Sequence, residues 1–227
     1  MQTIRMLSTL AVMGAFRGLA RRYEAETGVR IDADFAPTVA LLERLRGGAQ
    51  ADVVVLTREA LHDLAAQNAV VADSCIDLAR SYVGVAVRAG APRPDIATEA
   101  ALRATLLDAE SVAYSQIGAS GIFFAQLIAQ MGIAAEVNAR ARIIPSGLTA
   151  ERLVAGEADL AVQQISELKL VPGVDVVGPI LPQTQTPMVF SAGRLAGAGR
   201  PAQADALLTF LASADATSAL RESGLEP

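Results

Sequence analysis

Four short segments place hydroxyls, amides or glycines directly after an apolar run. They are Ser8-Thr9, Ala36-Pro37-Thr38, the YSQIGASG stretch from Tyr114 to Gly121, and Gln163-Gln164. Side chains of this kind donate hydrogen bonds without carrying charge. A helix starting just beyond them adds backbone N–H groups that have no acceptor inside the helix. Such a donor set suits a small anion, either an oxyanion or a carboxylate. Ser and Thr also serve as ordinary helix caps at such places. Four segments in register with strand ends argue for a ligand more strongly than any one of them alone.

Other chemistries are poorly supplied. The GASG turn lacks the Lys-Ser/Thr of a nucleotide loop and the spacing of a dinucleotide fingerprint. There is no GxSxG elbow, and the single histidine, His62, lies in EALHDLAAQ, which reads as a solvated helix. One cysteine, Cys75, excludes an internal disulfide and a Cys-rich metal site. Asp and Glu are scattered over helices without His or Cys partners, so neither a metal nor a cofactor is expected. A net charge of −5 argues against nucleic acid, whose phosphates need a basic face. At 52% hydrophobic and 19% charged residues, the chain is rich in core.

The elements that must position these segments alternate. Apolar runs at Ile4–Leu7, Val29–Ile31, Asp52–Leu56, Val83–Val87, Val112–Tyr114, Ile143–Ile144 and Leu160–Gln163 read as buried strands. Between them, Val39–Arg46, Arg58–Ala66, Gly121–Met131 and Ala150–Gly156 have helical periodicity, and a further helix runs to about Thr27. This order predicts an α/β fold with mostly parallel sheets covered by helices. Residues 1–80 plus 188–227 are expected to form one lobe and 81–187 the other. The crossovers would act as a hinge, and the ligand cleft would lie between the lobes. No segment approaches the roughly 20 apolar residues of a membrane span, so no membrane insertion is expected. The Leu7–Met13 stretch is too short for an export signal and is followed by Arg17, Arg21 and Arg22. The chain is therefore expected in the cytoplasm, or in the periplasm where a leader has been removed.

Two longer stretches carry a family likeness. FAPTVALLERLRGGAQADVVVLT and RLVAGEADLAVQQISEL resemble segments of the molybdate-binding proteins of ABC transporters, and ETGVRI and PMVFSAGRL follow the same order. The resemblance implies the two-lobed type II periplasmic-binding-protein fold. It also implies a solute-binding role with a small anionic ligand and an ABC-transporter permease as further partner. In that family a turn after the first strand supplies a hydroxyl, which falls on Ser8 or on Ala11 depending on the alignment. The second loop keeps Thr38 as its one hydroxyl. The ligand-facing tyrosine of the second lobe corresponds to Gln164, and the hinge Arg-Asn becomes Arg80-Ser81. Ser8, Thr9, Thr38, Arg80, Tyr114, Ser115, Ser120, Gly121, Gln163 and Gln164 are the expected ligand-binding residues. These departures fit a carboxylate as well as molybdate, since guanidinium binds carboxylate in a fork. The wider family also includes aconitate isomerases, which move a proton within a tricarboxylate, and a ligand sensor of the same fold is the other alternative. No catalytic residue stands out in the loops; Tyr114, Glu167 or a carboxylate of the substrate would have to act as base.

Overall fold

The computed structural model describes residues 2–227. In chain order the elements are β1 (Gln2–Ser8), α1 (Met13–Thr27), β2 (Val29–Phe35), α2 (Thr38–Arg46), β3 (Val53–Thr57), α3 (Arg58–Ala66), β4 (Ile76–Ser81) and β5 (Val83–Arg88). There follow α4 (Glu99–Asp108), β6 (Val112–Ser115), α5 (Ala119–Gln130), α6 (Ala134–Asn138), β7 (Arg142–Ile144), α7 (Glu151–Val154), β8 (Leu160–Gln164) and α8 (Ile165–Leu168). The chain closes with β9 (Val174–Pro179), β10 (Met188–Arg194), α9 (Pro201–Leu211) and α10 (Ala214–Glu222). Gly28 ends α1 with φ +69°, a left-handed conformation that costs glycine little, and its N–H returns to the Glu24 carbonyl.

The chain divides into two units, residues 1–81 with 188–227 and residues 82–187. Each holds a five-stranded sheet, in the orders β2-β1-β3-β10-β4 and β7-β6-β8-β5-β9. Both orders repeat one plan. A parallel trio lies at one side, with its first strand in the middle, and two strands of mixed direction complete the sheet. β10 runs antiparallel to β3 and β4, and β5 antiparallel to β8 and β9. Four strands of each sheet therefore run one way, and β10 or β5 alone runs against them.

Period-two alternation feeds both faces of the first sheet. Val53 and Val55 of β3 join Ile4 and Met6 against Phe16, Leu19 and Tyr23 of α1 and Leu207 and Leu211 of α9. Val54 and Leu56 turn the other way, onto Leu41 of α2 and Leu61 of α3. In the second unit Ala86, Ala113 and Ala161 leave room for Leu153 and Leu168 to pack closely. Among the described residues no helix is long and apolar enough to cross a membrane.

The plan matters because a middle strand flanked by its two successors creates a switch point. Successive connections leave to opposite faces there, and the carboxyl ends of the two strands open a crevice. In the first unit that point lies at the ends of β1 and β3. In the second it lies at the ends of β6 and β8.

Candidate functional site

At the first switch point Ser8 is the last residue of β1 and is fully buried. Its carbonyl accepts from the Ala36 N–H, which brings the Pro37-Thr38 turn beside the end of β1. The Thr9 N–H donates to the Val55 carbonyl in the middle of β3. Thr38 opens α2 and is 9% exposed. Neither α2 nor the short 3-10 turn at Leu10–Val12 has a side-chain cap. True caps exist elsewhere: Thr98 accepts from the Ala101 N–H and Ser213 from the Ala216 N–H. Thr9 and Thr38 are thus buried hydroxyls at helix starts that do not spend themselves on capping, whereas Ser8 Oγ donates to the Thr9 carbonyl at 3.1 Å.

The second switch point is denser. Ser115 ends β6, and its Oγ accepts from the Gly118 N–H at 2.7 Å, folding the chain back into α5. Gly118 is the N-cap of α5 and offers no side chain, so the N–H groups of Ala119, Ser120 and Gly121 begin the helix without an intrahelical acceptor. Ser120 is 2% exposed. Gly121 sits so close to the end of β6 that an added Cβ would lie 1.7 Å from the Ser115 carbonyl oxygen.

Gln163 and Gln164 close β8, both buried. The Gln163 carboxamide turns inward. Its Oε1 accepts from the Thr149 N–H at 2.8 Å and from Thr149 Oγ1 at 3.0 Å, and its Nε2 donates to the Gly147 carbonyl at 2.9 Å. Gln163 thereby fixes the loop between β7 and α7, a shaping role beside the site. Gln164 pairs in register with Val83, which starts β5. The Ile165 N–H donates to Tyr82, so α8 begins directly at the sheet edge.

Two further residues, Ser166 and Glu167, lie in α8. Ser166 and Glu167 are 1% and 6% exposed, and Ser166 Oγ has no hydrogen-bond partner. Burial raises the Glu167 carboxyl from the ordinary carboxylate range to about 8, against a hydrogen bond from Gln163 that acts the other way. The signal was present in QQISEL, where a carboxylate follows directly on a buried strand. Nothing local told that it would be buried.

Two expected ligand residues are engaged elsewhere. Tyr114 is buried with its ring edge against Phe124, and its hydroxyl donates to Asn138 Oδ1 at 2.6 Å. It packs α5 and α6 onto β6 and is not a free donor. Arg80 points to the outside of β4, half exposed, with its Nε on the Glu226 carboxylate at 3.2 Å. Its backbone also pairs with Glu226, so it anchors the chain's end. Tyr114→Phe is expected to lower stability by about 1 kcal/mol, the net worth of one hydrogen bond, and to leave ligand affinity unchanged. Denaturant melts and a binding isotherm of the variant check both halves.

Concavities at the opposite sheet edges are lined by charged side chains of both signs. One of about 500 Å³ is lined by Arg88, Thr105, Asp108 and Asp159. The Asp159 carboxylate there already accepts the N–H groups of Glu110 and Ser111. In the first unit, Asp52 is likewise filled by the N–H groups of Arg5 and Arg200. No group of His, Cys, Asp and Glu able to hold a metal occurs among the described residues.

Comparison with known proteins places this geometry. A family model described as bacterial extracellular solute-binding protein matches residues 4–226. A protein of a Pseudomonas species named aconitate isomerase is 41% identical over 231 residues, covering 99% of this chain and 88% of that protein. Among solved structures, the periplasmic molybdate-binding protein of Azotobacter vinelandii superposes with a TM-score of 0.82 at 16% identity, covering 99% of both chains. The sulfate-binding protein of Mycobacterium tuberculosis superposes with a TM-score of 0.78 at 16% identity, over 100% of this chain and 87% of the other. These two show the fold.

Proposed function

The chain belongs to the bacterial extracellular solute-binding proteins, and from that premise we propose that it binds a small tricarboxylate of the aconitate type and shifts its double bond. The observation that carries the reading is the 41% identity, over nearly the whole chain, to a protein named aconitate isomerase. The local chemistry agrees with it. Carboxylates need several donors, and uncapped helix starts with buried hydroxyls offer them at both switch points. Shifting the double bond needs a proton acceptor beside an acidic C–H and donors for the enolate-like charge that develops. A buried carboxyl stands at the end of β8 beside such donors.

Family membership itself favours a second reading: an anion binder serving ABC-type transport outside the cytoplasm, with the same donors and no chemistry. The two readings part on turnover. A thermal-shift series with cis- and trans-aconitate, citrate, molybdate, tungstate, sulfate and phosphate is expected to select the tricarboxylates. A ligand at 100 times its dissociation constant stabilises by about 2.7 kcal/mol, a shift easily read. Chromatography of the same samples is expected to show interconversion of the aconitates. Stabilisation by molybdate or sulfate alone, with both aconitates unchanged, would replace the first reading by the second.

Thr38→Val and Ser120→Ala each remove a hydroxyl, and a hydrogen bond to a charged group is worth about 1.5–3 kcal/mol. Each variant is expected to weaken aconitate binding about tenfold or more. If instead these hydroxyls only support their helix starts, stability falls by about 1 kcal/mol while affinity holds. Calorimetric affinities and melting temperatures of both variants distinguish the outcomes.

A further inference from the structure

We propose that Glu167 is the catalytic acid–base group of this isomerisation, taking a proton from one carbon of the bound tricarboxylate and returning it to another. The proposal rests on the isomerase reading above. Glu167 lies in α8, immediately beyond the β8 end of the second switch point, with its side chain buried. The adjoining Ser166 Oγ is also buried and has no partner. Buried polar groups in folded proteins normally find one, so a hydroxyl left open here calls for a polar guest. The Gln163 carboxamide is tied to Gly147 and Thr149, and it fixes the position against which the Glu167 carboxyl rests.

The competing candidates are occupied. Asp52, the other buried carboxylate, accepts two backbone N–H groups at the opposite edge of the first sheet. The Tyr114 hydroxyl is bonded to Asn138. His62 is exposed on α3. Glu167 is thus the one buried carboxyl at a strand's carboxyl end among the described residues.

The reaction balances without any co-reactant. The ionised carboxylate removes a proton from the substrate methylene, and the C–H electron pair stays on carbon. That pair forms a new double bond to the central carbon as the old double bond shifts its electrons outward, toward the adjoining carboxylate. The protonated carboxyl then delivers its proton to the former vinyl carbon. One C–H bond breaks, one forms, and nothing is oxidised or reduced. N–H groups at the start of α5 are placed to take the enolate-like charge. An acid–base group that holds its proton until about pH 8 is a stronger base than an ordinary carboxylate when ionised. The elements packed against α8 carry Arg88 on β5 and Asp175 on β9, and neither acts on the ionisation of Glu167.

The test measures aconitate affinity and turnover for the wild type, Glu167→Gln and Glu167→Asp. The Gln variant copies the shape of the protonated carboxyl, so its affinity is expected within a few-fold of wild type while turnover falls about 100-fold or more. Wild-type turnover is expected to rise with pH through about 8 as the base ionises. The Asp variant is expected to keep measurable turnover with that pH limb displaced. Turnover of the Gln variant within a few-fold of wild type would overturn the proposal. If the Gln variant does not fold, the Asp variant decides: an unchanged pH limb overturns the proposal, and a displaced one supports it. A wild type that binds aconitate without turning it over removes the isomerase reading itself, and this proposal with it.

Discussion

Glu167→Gln is expected to be more stable than the wild type at pH 8 and nearly equal to it at pH 5. The carboxyl titrates near 4.5 when the chain is unfolded and near 8 when burial holds it in the fold. Between those values the folded state keeps a proton that the unfolded state has lost. Stability from the wild-type side chain is therefore fully present below about pH 4.5 and drains away as pH rises toward 8. The slope is about 1.4 kcal/mol per pH unit, after which the loss levels off. Glutamine has no proton to lose, so the gap between the two proteins opens across this window. Urea melts of both proteins at pH 5, 6.5 and 8 measure it. A gap that stays constant would show that Glu167 ionises in the fold like an exposed carboxylate.

Gly121→Ala is expected to be among the most damaging single substitutions in the chain. The new Cβ would fall 1.7 Å from the Ser115 carbonyl oxygen and 2.6 Å from its carbon. These are backbone atoms at the end of a buried strand, so no rotamer change relieves the overlap. Helix α5 must lift away from β6, at a cost of about 3 kcal/mol or more. For a chain of this size that lowers the melting temperature by roughly 10 °C. The N–H groups at the start of α5 move with the helix, so ligand affinity should fall as well. Gly18→Ala is the control: nothing lies within 4 Å of its added Cβ in α1, and it should stabilise by about 0.5–1 kcal/mol. Equal melting temperatures for Gly121→Ala and the wild type would contradict the close packing of α5 on β6.

What the sequence shows of this fold is its local part. Helix Arg58–Ala66 can be bounded from its apolar spacing, and the strand through Val53–Leu56 from an unbroken apolar run of three valines and a leucine. Both cores form from those residues. The direction of β5 and β10 is not local information: each is an apolar run like its neighbours, and only the path of the chain turns it antiparallel. The edge strand β9 is half-buried along its whole length and has no sharp alternation to mark it.

The candidate site divides in the same way. Ser8, Thr38, Ser115 and Ser120 can be placed at strand ends or helix starts because each sits where an apolar run stops. The partners that decide whether a residue is free lie far off in sequence. Glu226 occupies Arg80 from 146 residues away, and Asn138 takes the Tyr114 hydroxyl from 24 residues away. Thr149 holds the Gln163 carboxamide across a loop and a helix. The burial of Glu167 likewise depends on how α8 packs against β5 and β9.

Proton transfer within a bound tricarboxylate can be followed in deuterated water. Pure trans-aconitate is incubated with a catalytic amount of the wild-type protein and followed by proton NMR. Cis-aconitate resonances are expected to grow in over many turnovers. Deuterium is expected to enter the methylene position as the acid–base group exchanges with solvent between removal and return. A spectrum unchanged after prolonged incubation, at a protein concentration where binding has been demonstrated, would contradict this proton transfer.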